Sequence, residues 1–106
     1  MLAFSIENQL LTRNDSTQVV SNSSNYLYAY FNFSSDWNSV STKLAVISNG
    51  TTNTTSPIVN NTCLIPAQYI KPDNITISVY GESSSKKITT NSVNIPIIDF
   101  PFDITI

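Results

Sequence analysis

The chain has 106 residues, of which 41% are hydrophobic and only 11% charged, with a net charge of −2. A typical soluble domain is about 25% charged, and the deficit here is made up by 16 Ser, 12 Thr and 13 Asn. This length suits one domain with one core, and four Lys and one Arg are too few to form the basic footprint of a nucleic-acid binder.

The single cysteine, Cys63, rules out an internal disulfide framework. The start, Met1-Leu-Ala-Phe-Ser-Ile-Glu7, lacks the basic region and apolar length of a secretory signal. No apolar run approaches the roughly 20 residues of a membrane span. The expected setting is a cytoplasm, or a particle assembled from one. Sequons at Asn14, Asn22, Asn32, Asn49, Asn53, Asn60 and Asn74 would mark glycosylation in a secreted protein. Without a signal they read as a by-product of an Asn/Ser/Thr-rich composition.

Strand signals recur along the chain. Leu2-Ala-Phe-Ser-Ile6, Leu10-Leu11 and Thr17-Gln-Val-Val20 supply the first strands, with Asn14-Asp15-Ser16 as a turn. Tyr26-Leu-Tyr-Ala-Tyr-Phe-Asn-Phe33 alternates strictly. That places Leu27, Ala29, Phe31 and Phe33 on a core face and Tyr26, Tyr28, Tyr30 and Asn32 on the other. Trp37 follows at once, either capping the core at the strand end or serving as a contact anchor.

Thr42-Lys-Leu-Ala-Val-Ile-Ser48 reads as a central strand, and Asn49-Gly50 as a tight turn. Residues 51–56 read as a polar loop without core residues. Pro57-Ile-Val59 and Cys63-Leu-Ile65 flank a second turn at Asn60-Asn61. Residues 66–70 allow one helical turn. Asn74-Ile-Thr-Ile-Ser-Val-Tyr-Gly81 alternates, with Ile75, Ile77 and Val79 inward. After a turn carrying Lys86-Lys87, Ile88-Thr-Thr-Asn-Ser-Val-Asn-Ile95 forms its hairpin partner. About seven to nine short strands at roughly 8–12-residue spacing predict an all-β fold. The expected architecture is a single β-sandwich, Ig-like or jelly-roll-like, over residues 1–96. Residues 97–106 are an apolar C-terminal segment. It reads either as a last strand of its own sandwich or as an arm added to a neighbour's sheet, with Pro101 restricting it to an edge or a bulge.

Chemistry is sparse. There is no histidine, so the commonest general base and metal ligand is missing, and Ser–His or Cys–His pairs cannot form. Cys63 has no cationic neighbour in sequence to activate it and reads as a core residue. The acidic residues are scattered singly; a paired-carboxylate site would need two brought together, such as Asp99 and Asp103, and nothing in their spacing demands it. Two glycines, Gly50 and Gly81, leave no phosphate-cradling loop. No catalytic residue, cofactor or metal ligand is expected.

Several short motifs stand in a definite order: Phe31-Asn-Phe-Ser-Ser-Asp-Trp37, Lys43-Leu-Ala-Val-Ile47, Asn61-Thr-Cys-Leu-Ile-Pro66, Ile77-Ser-Val-Tyr-Gly81 and Ile88-Thr-Thr-Asn91. In that order they resemble a small β-sandwich domain found in structural proteins of tailed bacteriophages of Gram-positive hosts. The resemblance spans roughly residues 20–95. Domains of that kind begin baseplate, tail or head-fibre proteins, or stand alone as minor virion proteins, without enzymatic activity. Unlike those longer proteins, this chain runs from Ile95 into its apolar tail, with no fibre or receptor-binding region.

The resemblance implies a small virion subunit, assembled in the host bacterial cytoplasm. Its expected place is decorating, bracing or scaffolding at the head, in many copies against the major capsid protein or other virion proteins. A tail or baseplate position, and a carbohydrate- or host-surface-binding module, are the alternatives. Neither nucleic acid nor membrane is an expected partner. The residues expected to carry subunit contacts are Tyr26, Tyr28, Tyr30, Trp37, Phe100, Phe102, Ile104 and Ile106.

Overall fold

The computed structural model describes residues 1–100. They form a β-sandwich of two curled, mixed sheets built from ten strands. The strands are β1 Leu2–Glu7, β2 Leu10–Arg13, β3 Val19–Val20, β4 Tyr28–Phe33 and β5 Thr42–Ser48. They continue as β6 Asn53–Pro57, β7 Thr62–Leu64, β8 Asn74–Glu82, β9 Lys87–Thr89 and β10 Val93–Ile98. The first sheet has the order β2-β1-β4-β7. The second has the order β3-β10-β8-β5-β6, with β9 also on β8. Two neighbour pairs are parallel, β1 with β4 and β3 with β10.

The alternation read from sequence sets which face is buried. Leu2, Phe4 and Ile6 of β1, Ala29 and Phe31 of β4, and Ile75, Ile77 and Val79 of β8 all point into one core. Phe4 and Phe31 stack across the parallel β1–β4 pair with ring centroids 5.2 Å apart. Burial of such side chains contributes about 1.5–3 kcal/mol each. β5 lies between β6 and β8, with Ala45 and Ile47 inward, as expected of a central strand.

Asparagine does much of the turning in this glycine-poor chain. Asn8, Asn22, Asn25, Asn60 and Asn61 all have positive φ, a region that Asn tolerates better than other non-glycine residues. Asn60 and Asn61, with φ of 52° and 63°, make a two-residue turn closed by the Val59–Thr62 bridge. This pairing of positive φ values matches the twist of a hairpin. The Asn49-Gly50 signal opens a longer connection, residues 49–52. Asn49 Oδ1 accepts the amides of Thr51 and Thr52 at 3.2 and 3.0 Å.

Three segments differ from expectation. Residues 51–56 are not a loop throughout, because β6 begins at Asn53. Asn53 to Pro57 pair with Ser48 to Leu44, and Ser56 is buried. The hydroxyl of Ser56 donates to Leu64 O at 2.8 Å, tying the edge of one sheet to the edge of the other. A buried serine in a Thr-rich run carries no hydrophobic signal, so alternation could not reveal the strand.

The expected single strand from Ile88 to Ile95 is broken into β9 and β10 around Asn91. Thr90 keeps the ladder to Val79 satisfied through its amide and hydroxyl, while Asn91 turns towards the other sheet. There its side-chain oxygen accepts Leu11 N at 2.7 Å and its amide donates to Leu11 O at 3.2 Å. Asn91 thus imitates a strand residue and occupies the outer edge of β2, an edge that would otherwise invite association. Lastly, β10 continues through Ile98. Ile97 is buried and pairs with Val19, so residues 97 and 98 belong to the sandwich.

Trp37 is fully buried, which corrects the expectation that it serves as a subunit-contact anchor. The one-turn 3-10 helix Ser35–Trp37 swings it under the end of the sandwich. Its indole N–H donates to Asn8 O at 2.8 Å, and its ring packs on Phe33 at 5.2 Å. Opposite stands Gly81, where a Cβ would lie 2.6 Å from Trp37 Cζ3 and 2.8 Å from Val40 Cγ1. Glycine is therefore required there by close approach, not by a turn.

Candidate interaction surface

Among the described residues no group of three or more His, Cys, Asp or Glu side chains is arranged to hold a metal ion. Cys63 is buried, and desolvation pushes its thiol up to about 11. Contacts with the Ser56 hydroxyl and the Ala29 backbone act in the opposite direction. Such a thiol is protonated and inert at neutral pH. Asp99 accepts a long hydrogen bond from the Ser21 hydroxyl at 3.4 Å, and Asp103 lies outside the described residues.

The best-organised polar cluster surrounds Asp15. Its carboxylate accepts Ala3 N at 2.8 Å and Thr17 N at 2.9 Å, and takes a two-pronged ion pair from Arg13. Arg13 also donates to Thr17 O. Partial burial alone would raise the Asp15 pKa. The guanidinium and the two amides outweigh it and hold the carboxyl well below the usual carboxylate range. Every partner is structural: the cluster fastens residues 13–17 to the start of β1. Residues 14–16, expected as a turn, are instead an irregular stretch held by these contacts.

The exposed faces of the sheets are more informative. On the first sheet, strand register places Ala3 beside Tyr30 and Tyr30 beside Thr62. Tyr28 lies beside Leu64, and Ser5 beside both Asn32 and Thr12. All of these point outward, with Tyr28 and Tyr30 42% and 40% exposed. Small neighbours on β1 leave the tyrosine rings standing proud. Among the described residues the charged side chain on this face is Glu7 at its far end, beside Leu10. The second sheet repeats the pattern. Its central outer rows run Thr55, Val46, Ser78 and Pro57, Leu44, Tyr80, Thr89, without a charge, and the row beyond them, Thr42, Glu82 and Lys87, carries one charge of each sign. Charged side chains sit instead at turns and strand ends, as with Lys86 and Asp36. Lys43 leans inward at the rim, its Nζ 4.9 Å from the centre of the Phe33 ring.

Tyr26 precedes β4 and is 77% exposed. It belongs to a groove of mixed polarity, about 300 Å³, at one end of the sandwich, where Met1, Val19, Val20, Leu27 and Ile70 stand with Thr17, Gln18 and Ser23. A second groove, about 270 Å³, lies behind it against Arg13, Pro96 and Ile98. Phe100 is half-buried and its amide donates to the Ser21 hydroxyl at 2.8 Å, which brings the C-terminal segment to that same end. Phe102, Ile104 and Ile106 lie outside the described residues.

Of the residues singled out in the sequence, Tyr28 and Tyr30 share one face, while Tyr26 and Phe100 stand at the adjoining end. The grooves were not legible beforehand, because their walls come from segments far apart in the chain. Comparison with protein-family models, with curated proteins and with solved structures returns no match.

Proposed function

We propose that this protein is a non-enzymatic structural subunit of a bacteriophage virion. Its place is at the head, decorating or bracing the shell against the major capsid protein in many copies. The ordered motifs that resemble phage β-sandwich domains supply the setting. The observation that carries the contact role is the outer face of the first sheet, where Tyr28 and Tyr30 stand among Ala3, Ser5, Thr62 and Leu64 with no charge in the central rows. A neutral face of this kind can be covered without desolvating an ion. Tyrosine contributes large, stiff contact area with a hydrogen-bonding tip. Low net charge also keeps repulsion between neighbouring copies small.

The test is co-sedimentation of the purified chain with capsid shells and, separately, with tail or baseplate assemblies. Alongside it goes a variant carrying Tyr28→Lys and Tyr30→Lys. The expected outcome is binding of the parent chain to shells and loss of binding in the variant, with its thermal midpoint retained. Binding only to tail or baseplate assemblies would move the subunit there. Equal shell binding by both chains would exclude this face as the contact.

A second reading has its own observation. Two neighbouring exposed tyrosine rings beside small residues and the Thr62 hydroxyl also make a platform on which a sugar ring can stack. Retention on cell-wall glycans, lost in the same variant and accompanied by indifference to virion proteins, would select that reading.

A further inference from the structure

The connection between β5 and β6 carries the one Asn-Gly pair in the chain, Asn49-Gly50. Asn49 is half-buried. Gly50 is exposed with φ of 98°, and nothing lies within 4 Å of where its Cβ would stand. Covalent geometry alone brings Gly50 N within reach of Asn49 Cγ, since a bond between them closes a five-membered ring. Glycine puts no side chain in the way of that closure and lets the backbone turn to meet it.

The fold adds what the dipeptide lacks. Asn49 Oδ1 accepts the amides of Thr51 and Thr52 at 3.2 and 3.0 Å, and both threonine hydroxyls at 3.2 Å. Two backbone N–H donors can face only an oxygen, so they fix which end of the side chain is Oδ1. Nδ2 is then the end without these contacts. The turn is closed by Asn49 N, which donates to Thr52 O at 3.2 Å. Attack at Cγ moves negative charge onto Oδ1, and donors already aimed at that atom stabilise it without reorganising. The attacking group is held as well: Gly50 N–H donates to the Ser48 hydroxyl at 3.2 Å, which can pass the proton on to water.

We propose that Asn49-Gly50 is a self-modification site, where the donors on Oδ1 speed closure of Gly50 N onto Asn49 Cγ and conversion of residue 49 to a carboxylate. The bond from Gly50 N to Asn49 Cγ forms and the Cγ–Nδ2 bond breaks. Nδ2 leaves as ammonia, with the proton that Gly50 N gives up. The product is a succinimide. Water then adds to one of its two carbonyls and breaks that carbonyl's bond to Gly50 N. Addition at Cγ restores the normal backbone and yields aspartate, whereas addition at the backbone carbonyl of residue 49 yields isoaspartate. No oxidant or reductant is needed.

The same donors bias the second step. They polarise Cγ, so aspartate gains over isoaspartate, and the new carboxylate keeps all four contacts in charge-assisted form. Its charge appears next along the chain from Ser48, which strand register sets beside Thr76 and, through it, Asn94. An uncharged row of the second sheet thereby gains a negative end.

The test follows residue 49 by peptide mass mapping, with aspartate and isoaspartate separated by chromatography. The full chain is held at mildly alkaline pH, either folded in buffer or unfolded in guanidinium chloride. The expected result is conversion about tenfold faster in the folded chain, a change of the size that a few aligned donors supply, with a larger aspartate share. Thr51→Val with Thr52→Val removes both hydroxyls and keeps both amides, at positions exposed enough to spare the fold. It is expected to slow the folded reaction several-fold and leave the unfolded one unchanged. Equal or slower conversion in the folded chain would overturn the inference, since the reactivity would then belong to the dipeptide alone. A folded rate indifferent to loss of the hydroxyls would overturn the role of the donors.

Discussion

Gly81→Ala is a small change with a large expected cost. In the middle of a strand, alanine would normally be favoured over glycine by about 0.5–1 kcal/mol. Here the new methyl would sit 2.6 Å from Trp37 Cζ3, 3.0 Å from Trp37 Cε3 and 2.8 Å from Val40 Cγ1. The indole cannot easily withdraw. Its N–H is held by Asn8 O at 2.8 Å, and Phe33 packs against it. Overpacking of a rigid site costs about 1–3 kcal/mol, and two contacts below 3 Å place this site at about 2–3 kcal/mol, so the net destabilisation is about 1–2.5 kcal/mol after the intrinsic gain. For a domain near 100 residues that lowers the thermal midpoint by roughly 4–20 °C.

The assay is thermal and urea unfolding, followed by circular dichroism and by the fluorescence of the single tryptophan. In a Trp37→Leu background the same substitution should cost at least about 0.5 kcal/mol less, because neighbours that share a contact are not additive. A Gly81→Ala variant as stable as the parent would refute the close packing of ring on strand, and with it the burial that removes Trp37 from the contact surface.

Further outcomes follow from the polar contacts. Asp15→Asn should cost about 1.5–3 kcal/mol at neutral pH, since it removes the charge that Arg13 and two amides hold. The folded pKa of Asp15 lies below its unfolded value of about 3.9. The stabilisation is therefore complete above about pH 4 and declines as pH falls towards the folded value. Unfolding curves of parent and variant should accordingly converge in acid, and a constant gap would contradict the assignment. Asn91→Ala should strip Leu11 N of its acceptor and cost about 1–3 kcal/mol, read by faster amide exchange at Leu11. Unchanged protection there would refute the edge-sealing role. Cys63 should ignore a thiol reagent near pH 8 in the folded protein and react in urea, because its pKa of about 11 comes from burial. Prompt reaction in the folded state would refute that burial.

The tyrosine face depends on a property of the strand itself. In β4 successive side chains alternate by local geometry, so once Leu27, Ala29 and Phe31 are buried, Tyr28 and Tyr30 must face outward. The neutrality of that face is different. It depends on Ala3, Ser5, Thr62 and Leu64 arriving beside the tyrosines through strand pairing, which the composition permits but does not arrange. Trp37 shows the limit of local reasoning. Strand end and chain position allowed either a surface or a core role, and the choice was made by Gly81 and Asn8, far away in sequence.

What the sequence determined by itself was therefore whatever depends on near neighbours. That includes the all-β class, the inward and outward faces of β4 and β8, the turns at Asn60-Asn61 and after Glu82, and the core position of Cys63. Tertiary structure alone decided the rest. It placed β6 as a strand although its buried residue is a serine. It split the last hairpin partner so that Asn91 could close the edge of β2. It opened a groove between β3 and the start of β4. Each of these rests on contacts between residues distant in the chain, whose free energy has no local signature, whereas alternation and turn chemistry are set within a few residues.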